Sequence, residues 1–431
     1  MPPAGITTRE ARLALALLFG VNFLNYIDRY VAAAVLLPIQ REFGLDDTRA
    51  GLVLSMFMVA YMLASPFAGV LADRFPRRYF VGGGVLVWSL ATVASGLSST
   101  YHHLLGARSF IGVGEAGFGG VAPTLISDYF PKQQRGRMLS FFYVAIPVGS
   151  AIGYLLGGWV GGSYGWRHAF FLAGAPGLLL GLLAFRIKEP PRGAGDGVVQ
   201  AEHRFEAAAI TGLVRNRSFL LTTLGMAAMT FALGGLASWM PTFFARERGM
   251  PLAEANSLFG AVTVAAGLIG TFVGGWLGDR LLQRTRAAYL LVSGAGMLLA
   301  LPATWLALTL TDRALSLGFI FVAEVLVFLN TGPANAVLVN VALPEIRATA
   351  IAVSIFVFHL LGDVPSPILI GWVSDRSGLQ TALLGLSLLA MAASGVLYLW
   401  GSRSVAEDSE RVERAVRERE NEHARADQDT A

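Results

Sequence analysis

The chain has 431 residues, of which 54% are hydrophobic and only 14% charged. Soluble domains carry about 25% charged residues, so a soluble globular protein is excluded. The net charge of +4 comes from Lys and Arg between apolar runs and reads as orientation charge rather than a nucleic-acid surface, while the absence of cysteine excludes disulfides and thiol chemistry.

Twelve apolar runs follow in order, many near the ~20 residues that cross a bilayer as a helix. They lie at about 11–38, 48–72, 78–98, 102–128, 137–162, 168–187, 218–245, 254–281, 287–309, 314–342, 347–374 and 379–401. The first is preceded by Arg9 and Arg12 but carries polar residues and lacks a small-residue cleavage site, so it reads as a span rather than a signal peptide. The expected fold is an all-α integral membrane protein, with twelve transmembrane helices in two pseudo-symmetric six-helix bundles. The halves are 1–187 and 218–401. Between them, 188–217 is polar, contains Pro190-Pro191-Arg192-Gly193 and reads as a linker. Residues 402–431, dense in Glu, Arg and Asp, read as a solvated charged tail without an apolar face, helical near Glu410–Arg419.

The loops set the orientation. Arg77, Arg78, Lys132, Arg135, Arg137, Lys188, Arg192, Arg204, Arg215, Arg217, Arg284 and Arg286 fall on the side of the N-terminus, and the opposite loops carry fewer basic residues. The positive-inside rule then places both termini in the cytoplasm, and the expected location is the cell inner membrane.

A repeated word ties the two halves together. Gly69-Val-Leu-Ala-Asp73-Arg74-Phe-Pro-Arg77-Arg78 closes the second run, and Gly275-Trp-Leu-Gly-Asp279-Arg280 closes the eighth. Gly371-Trp-Val-Ser-Asp375-Arg376 answers Gly158-Trp-Val-Gly-Gly, and Pro344 with Arg347 answers Pro131 with Arg135. The offset is about 206 to 213 residues throughout, and one multi-span unit used twice is the build of a secondary transporter. Gly69, Asp73, Arg74, Arg77, Gly275, Asp279 and Arg280 are therefore gating candidates. Asp73 is expected to face a later helix N-terminus and the Arg77–Arg78 pair, holding one side shut by charge and dipole.

Charge inside the apolar runs is the stronger functional signal. Run 1 contains Asn25, Tyr26, Asp28 and Arg29, and run 4 contains Arg108 and Glu115. A charge at the bilayer centre costs ~2.5–3.5 kcal/mol on insertion scales, so it needs a partner or water. Arg108 and Glu115 stand two helical turns apart on one face, and Asp28 lies at the depth of Arg108. Arg108 is thus expected to pair with Asp28 and to leave Glu115 as the carboxylate that takes a coupling proton. Arg29 points about 100° away from Asp28, toward another helix or a headgroup. The second half offers Glu324 in run 10, and His359 with Asp363 on one face of run 11 before Pro365 and Pro367. No metal constellation is found; His102-His103 reads as a solvated loop pair. The tracts Gly112–Gly120 and Gly149-x-x-x-Gly153-x-x-x-Gly157 lack a P-loop lysine and read as helix-packing faces.

Twelve spans in two halves, the Gly69–Arg78 word and the Gly149–Gly157 ladder resemble the major facilitator superfamily over residues 10–400. Asn25-Tyr-Ile-Asp28-Arg29, Gly112-Val-Gly-Glu115-Ala, Ala145-Ile-Pro147-Val-Gly149-Ser and His359-Leu-Leu-Gly362-Asp363-Val-Pro-Ser-Pro367 are similar to the spinster group, whose members transport lysolipids and sphingolipids. The first two segments also resemble sugar-acid and aromatic-acid symporters. The resemblance implies alternating access around a central cavity, with proton linkage through Asp28, Arg108 and Glu115. The expected function is proton-coupled transport of an amphipathic solute such as a lysophospholipid or sphingoid phosphate; the alternative is a proton/organic-anion symporter. Arg29 or Arg108 would take the phosphate or carboxylate, and Phe23, Tyr26, Phe57, Met58, Tyr61 and Phe231 the apolar chain. Expected partners are the substrate and membrane lipids, with no nucleic acid, no cofactor beyond the proton, and a monomeric state. An enzyme would need a clustered nucleophile or metal site, and the sequence offers neither.

Overall fold

A computed structural model describes residues 6–192, 194, 212–343 and 346–429. The side chains of Asp73, Lys132, Ala348 and residues 419–429 lie outside that description, as do Pro344, Arg204 and most of the linker expected over 188–217. Among the described residues twelve helices are long and apolar enough to cross a membrane. Spans 1 to 6 are Thr8–Ala34, Asp47–Ala72, Arg77–Gly96, Tyr101–Tyr129, Gln133–Ser163 and Trp166–Ala184. Spans 7 to 12 are Arg217–Glu247, Leu252–Leu282, Ala288–Thr309, Arg313–Asn340, Thr349–Ser377 and Leu379–Gly401. Helix is the form that satisfies every backbone N–H and C=O inside one segment, which the bilayer interior demands. An even number of crossings returns the chain to its starting side. That side is the terminal face below, and the other is the distal face.

Local sequence sets the helix ends. Thr7 and Glu10 form a capping box at the start of span 1, and the Asp46, Thr100 and Asp312 side chains cap spans 2, 4 and 10. Gly44 and Gly165, after spans 1 and 5, have positive φ, and so do Gly249 and Gly378 after spans 7 and 11. The same two links thus use the same left-handed residue once in each half, a backbone trace of the repeat.

The chain folds into two compact units that cut across the sequence halves. The first holds 1–204, 235–264 and 364–382; the second holds 205–234, 265–363 and 383–431. In the first unit the glycine ladder of span 5 packs on span 1. A Cβ on Gly149 would lie 2.7 Å from the Phe23 carbonyl oxygen, and one on Gly153 would lie 2.7 Å from that of Ile27. Gly112 does the same for spans 4 and 2, where a Cβ would sit 2.0 Å from the Phe57 carbonyl oxygen. Behind these contacts Leu18, Val85, Trp88, Ile111, Phe118 and Phe142 form one buried core, whereas Phe67 and Trp159 stay exposed on outer faces suited to lipid.

In the second unit the tail departs from expectation. Val405–Asp429 is helical, and it is docked rather than wholly solvated. Asp408 is buried and accepts hydrogen bonds from the Ser218 N–H at 3.1 Å and its hydroxyl at 2.7 Å, and Glu413 pairs with Arg286 at 2.9 Å. Val405, Val412 and Val416 line a recess with Leu282, Tyr289 and Val337. Their spacing of seven and four residues gives the tail the narrow apolar stripe that the charge-dense sequence hides.

Candidate functional site

Four charged side chains meet inside the first unit. Span 1 supplies Asp28 and Arg29, and span 4 supplies Arg108 and Glu115. Asp28, Arg108 and Glu115 are each 1% exposed, while the Arg29 side chain keeps 19%. Arg29 donates from Nε at 3.0 Å and Nη2 at 2.6 Å, both to Oε2 of Glu115. Arg108 lies 3.9 Å from Asp28, donates to the Val53 carbonyl at 3.3 Å, and leaves Nη1 without a hydrogen bond. The Thr92 hydroxyl donates to Asp28 Oδ2. The set is neutral overall, which is how four charges are tolerated away from water.

This arrangement keeps the expected Arg108–Asp28 pair and the turn of Arg29 toward another helix, and corrects which carboxylate has the closer arginine. Glu115 has the closer arginine and Asp28 the looser one. The reason is helical geometry: adjacent residues on span 1 diverge by about 100°, so Arg29 turns to Glu115 while Asp28 turns to Arg108 and Thr92.

Aromatic rings surround the tighter pair. The Arg29 guanidinium stands 5.2 Å from the Tyr26 ring, 5.3 Å from Phe57 and 5.8 Å from Tyr61, and Arg108 stands 5.0 Å from Phe57. Phe57 is therefore in cation–π reach of both arginines. Phe23, Tyr26, Phe57 and Tyr61 are half-buried. Asn25 and Met58 are buried and fall outside this half-open group, since each is next in sequence to one of its members and so lies on another part of its helix surface.

The second unit holds the other expected residues. Phe231 in span 7 is half-buried, and Glu324 in span 10 is buried. His359 Nδ1 lies 2.8 and 3.0 Å from the two oxygens of Asp363, confirming their common face, with the Phe358 ring 4.6 Å from the imidazole.

The loop words lead to local contacts. Gly69 and Gly275 would each place a Cβ in open space, so neither marks a close approach. The Asp73 side chain lies outside the described residues. Arg77, expected opposite it, is buried and bonded to Asp128 at 2.5 Å and Glu189 at 2.8 Å, because its position at the start of span 3 faces the ends of spans 4 and 6. Arg74 is exposed. Asp279 accepts from the Tyr289 hydroxyl at 2.8 Å, and Arg280 lies over the Trp276 ring at 5.7 Å.

A second polar cluster, missed in the sequence, lies at the distal face of the first unit. Asp47 accepts from Arg246 through both oxygens at 2.8 and 2.7 Å, from Ser374 at 2.5 Å and from Gln40 at 2.7 Å. Asp375 accepts from the Asp47 and Thr48 N–H groups at 2.7 and 3.0 Å, capping span 2. Backbones touch here, since a Cβ on Gly371 would lie 2.2 Å from the Asp47 carbonyl oxygen. The distal ends of spans 7 and 11 are thereby fastened to span 2. The available signal was Asp375-Arg376, the copy of the loop word that falls on the distal face.

Comparison with known proteins agrees with this architecture. Residues 18–367 match the family model of the Major Facilitator Superfamily. Protein spinster homolog 3 of Danio rerio is 39% identical over 388 residues, covering 86% of this chain and 78% of the relative. Protein spinster homolog 1 of Homo sapiens is 37% identical over 393 residues, covering 86% and 74%. A crystal structure of a bacterial homolog to the human lysosomal transporter spinster, inward-facing and unoccupied, superposes with a TM-score of 0.85 at 25% identity, covering 94% of this chain and 99% of that one. These relatives are transporters, not enzymes. With twelve apolar helices among the described residues, a duplicated loop word and four charges gathered between spans 1 and 4, the chain belongs to the major facilitator superfamily and, within it, to the spinster transporters.

Proposed function

We propose that the chain is a proton-coupled secondary transporter that moves an amphipathic, lipid-like anion by alternating access, a lysophospholipid or sphingoid phosphate being the expected class. It works as a monomer in the cell inner membrane with its terminal face toward the cytoplasm, and the proton is its only coupling agent. The observation that carries this reading is the Arg29–Glu115 pair. A proton on Glu115 removes the charge that holds Arg29. Arg29, the one partly exposed member of the four, is then free to take a phosphate or carboxylate. Arg108 is too buried for that role and serves Asp28 instead. The choice of Glu115 as proton carrier now rests on the exposure of its partner, not on Asp28 having the closer arginine. Phe23, Tyr26, Phe57 and Tyr61 offer apolar surface beside the charge, as an acyl chain requires. The distal cluster around Asp47 acts as the outer closure of the cycle.

The test is flux into proteoliposomes driven by a pH gradient, with a labelled lysophospholipid and a labelled hexuronate side by side, for wild type and Glu115→Gln. Lipid flux that follows the gradient in wild type and is lost in the variant is expected. Hexuronate flux alone moves the protein to the organic-anion symporters. Lipid flux indifferent to the gradient removes the proton from the cycle.

A further inference from the structure

The second unit has a basic recess that the transport cycle does not use. It lies where span 7 begins and span 12 ends, and it is lined by Arg215, Arg217, Arg403 and Arg411, with Trp400 and Leu220 on its apolar side. Its volume is about 630 Å3, close to the size of a lipid headgroup with the first part of its chains. Two acids also line it, Glu407 and Asp408. Both are spoken for by Arg411, at 3.0 and 3.3 Å, and Asp408 also holds Ser218. That leaves Arg215, Arg217 and Arg403 exposed and with no described side-chain partner, so the recess keeps an uncompensated positive charge. Trp400 is 59% exposed beside them, at the last turn of span 12, the depth at which indole rings sit in the membrane interface.

We infer that this recess binds the phosphodiester headgroup of an anionic membrane lipid, with Arg215, Arg217 and Arg403 on the phosphate and Trp400 and Leu220 along the chains. Orientation by positive charge alone requires only that arginines lie on the correct side. It does not require three of them from two separate chain segments to converge on one hollow with an exposed indole at its rim. Guanidinium groups match phosphate geometry through paired N–H donors. The bilayer supplies the ligand at high local concentration. The docked tail forms one wall through Glu407, Asp408 and Arg411, so occupancy and tail docking share a structure.

The experiment is native mass spectrometry of the full-length protein in detergent with added phosphatidylglycerol or phosphatidylcholine. Wild type is expected to retain phosphatidylglycerol about tenfold better, and R215Q/R217Q/R403Q is expected to lose most of that preference. Equal retention of the two lipids by wild type, or an unchanged preference in the variant, overturns the inference. Displacement of the lipid by inorganic phosphate at equal concentration would assign the recess to soluble phosphate and overturn the lipid as its source. A variant that misfolds does not shield the idea. Photoreactive phosphatidylglycerol on wild-type protein in vesicles should label peptides spanning 215–221 and 400–411, and labelling confined to other peptides overturns the site.

Discussion

Arg29 holds Glu115 through two hydrogen bonds to a single oxygen, Oε2, while Oε1 of the same carboxylate has no hydrogen-bond partner. The pair is therefore tight in distance and incomplete in coordination. A buried carboxylate in that state depends on one partner. Arg29→Ala should destabilise the protein by about 3 kcal/mol, because it strands Glu115 in the interior. Glu115→Gln should cost less, since Arg29 retains partial exposure and three aromatic neighbours. In the double variant the stranded charge is gone, so the loss should be smaller than the sum by about 1–3 kcal/mol. Thermal unfolding of the four proteins in detergent decides this, and strict additivity would mean that the pair is not coupled.

The Asp47–Arg246 pair leads to a prediction about access. Asp47 is buried and accepts four hydrogen bonds from three residues, Arg246 on span 7, Ser374 on span 11 and Gln40 before span 2. The chain has no cysteine, so a single Ser55→Cys, on span 2 and buried, reports opening without background. Adding Asp47→Asn with Arg246→Gln should raise its labelling by a membrane-impermeant thiol reagent about tenfold, the factor for 1.4 kcal/mol lost from the closed state. The reciprocal exchange Asp47→Arg with Arg246→Asp should recover part of the protection. Unchanged labelling in both would detach the pair from closure.

Much of this architecture was legible because it is local. Spans follow from run length, and the Gly149–Gly157 ladder follows from a four-residue period. Asp28, Arg108 and Glu115 were conspicuous as charges among apolar residues. The partner of Glu115 was not legible. Arg29 reaches Glu115 across 86 positions of sequence, and nothing along either helix records which neighbour stands opposite. Arg246 stands at a span end, where a charge is explained equally well by orientation. The tail misled for another reason: Val405, Val412 and Val416 are a thin stripe among so many charged residues that the mean composition outweighed the spacing.

Arg77 joins the ends of three spans on the terminal face. It bonds Asp128 on span 4, Glu189 beyond span 6 and the Pro190 carbonyl at 3.2 Å. Removing it takes away the cation that both acids share. Arg77→Ala should cost about 3–5 kcal/mol. Arg77→Lys should cost less yet remain impaired, since one ammonium cannot aim at both acids as a planar fork does. A denaturation series on the purified variants measures the ranking, and equal stability for wild type and Arg77→Ala would show that the acids find other partners.

Glu42, on the short helix Leu36–Phe43 before span 2, supplies a pH signature. The hydrogen bond from Arg167 at 2.7 Å, joined by one from the Trp166 indole at 2.7 Å, holds its carboxyl below the usual carboxylate range. A depressed folded value means that the unfolded chain binds the proton more readily. The contribution is present at neutral pH, above the ordinary value of about 4.3, and is lost as pH falls through the lower folded value. Both groups are well exposed, so the effect is small. Melting temperatures between pH 6 and 3 should converge for wild type and Glu42→Gln at the acid end, with wild type higher at the neutral end; parallel curves would rule out the linkage.

Asp408 fastens the tail to the start of span 7. Asn216 caps that helix through the Phe219 N–H at 2.9 Å, and Asp408 takes the Ser218 N–H, so two of the free donors at the helix start are satisfied by different segments. Asp408→Ala removes an acceptor from a buried N–H and hydroxyl and should cost about 1–2 kcal/mol. The loss should appear first as tail release, because the remaining tail contacts include Glu413–Arg286 at partly exposed positions, which are weak. Trypsin should then cut after Arg411 and Arg414 roughly tenfold faster than in wild type, by the same conversion of about 1.4 kcal/mol into a population. Asp408→Asn, which keeps one acceptor oxygen, should fall between. If cleavage rates match in all three proteins, the tail is held by its valine stripe and not by Asp408, and Val412→Ser should release it instead.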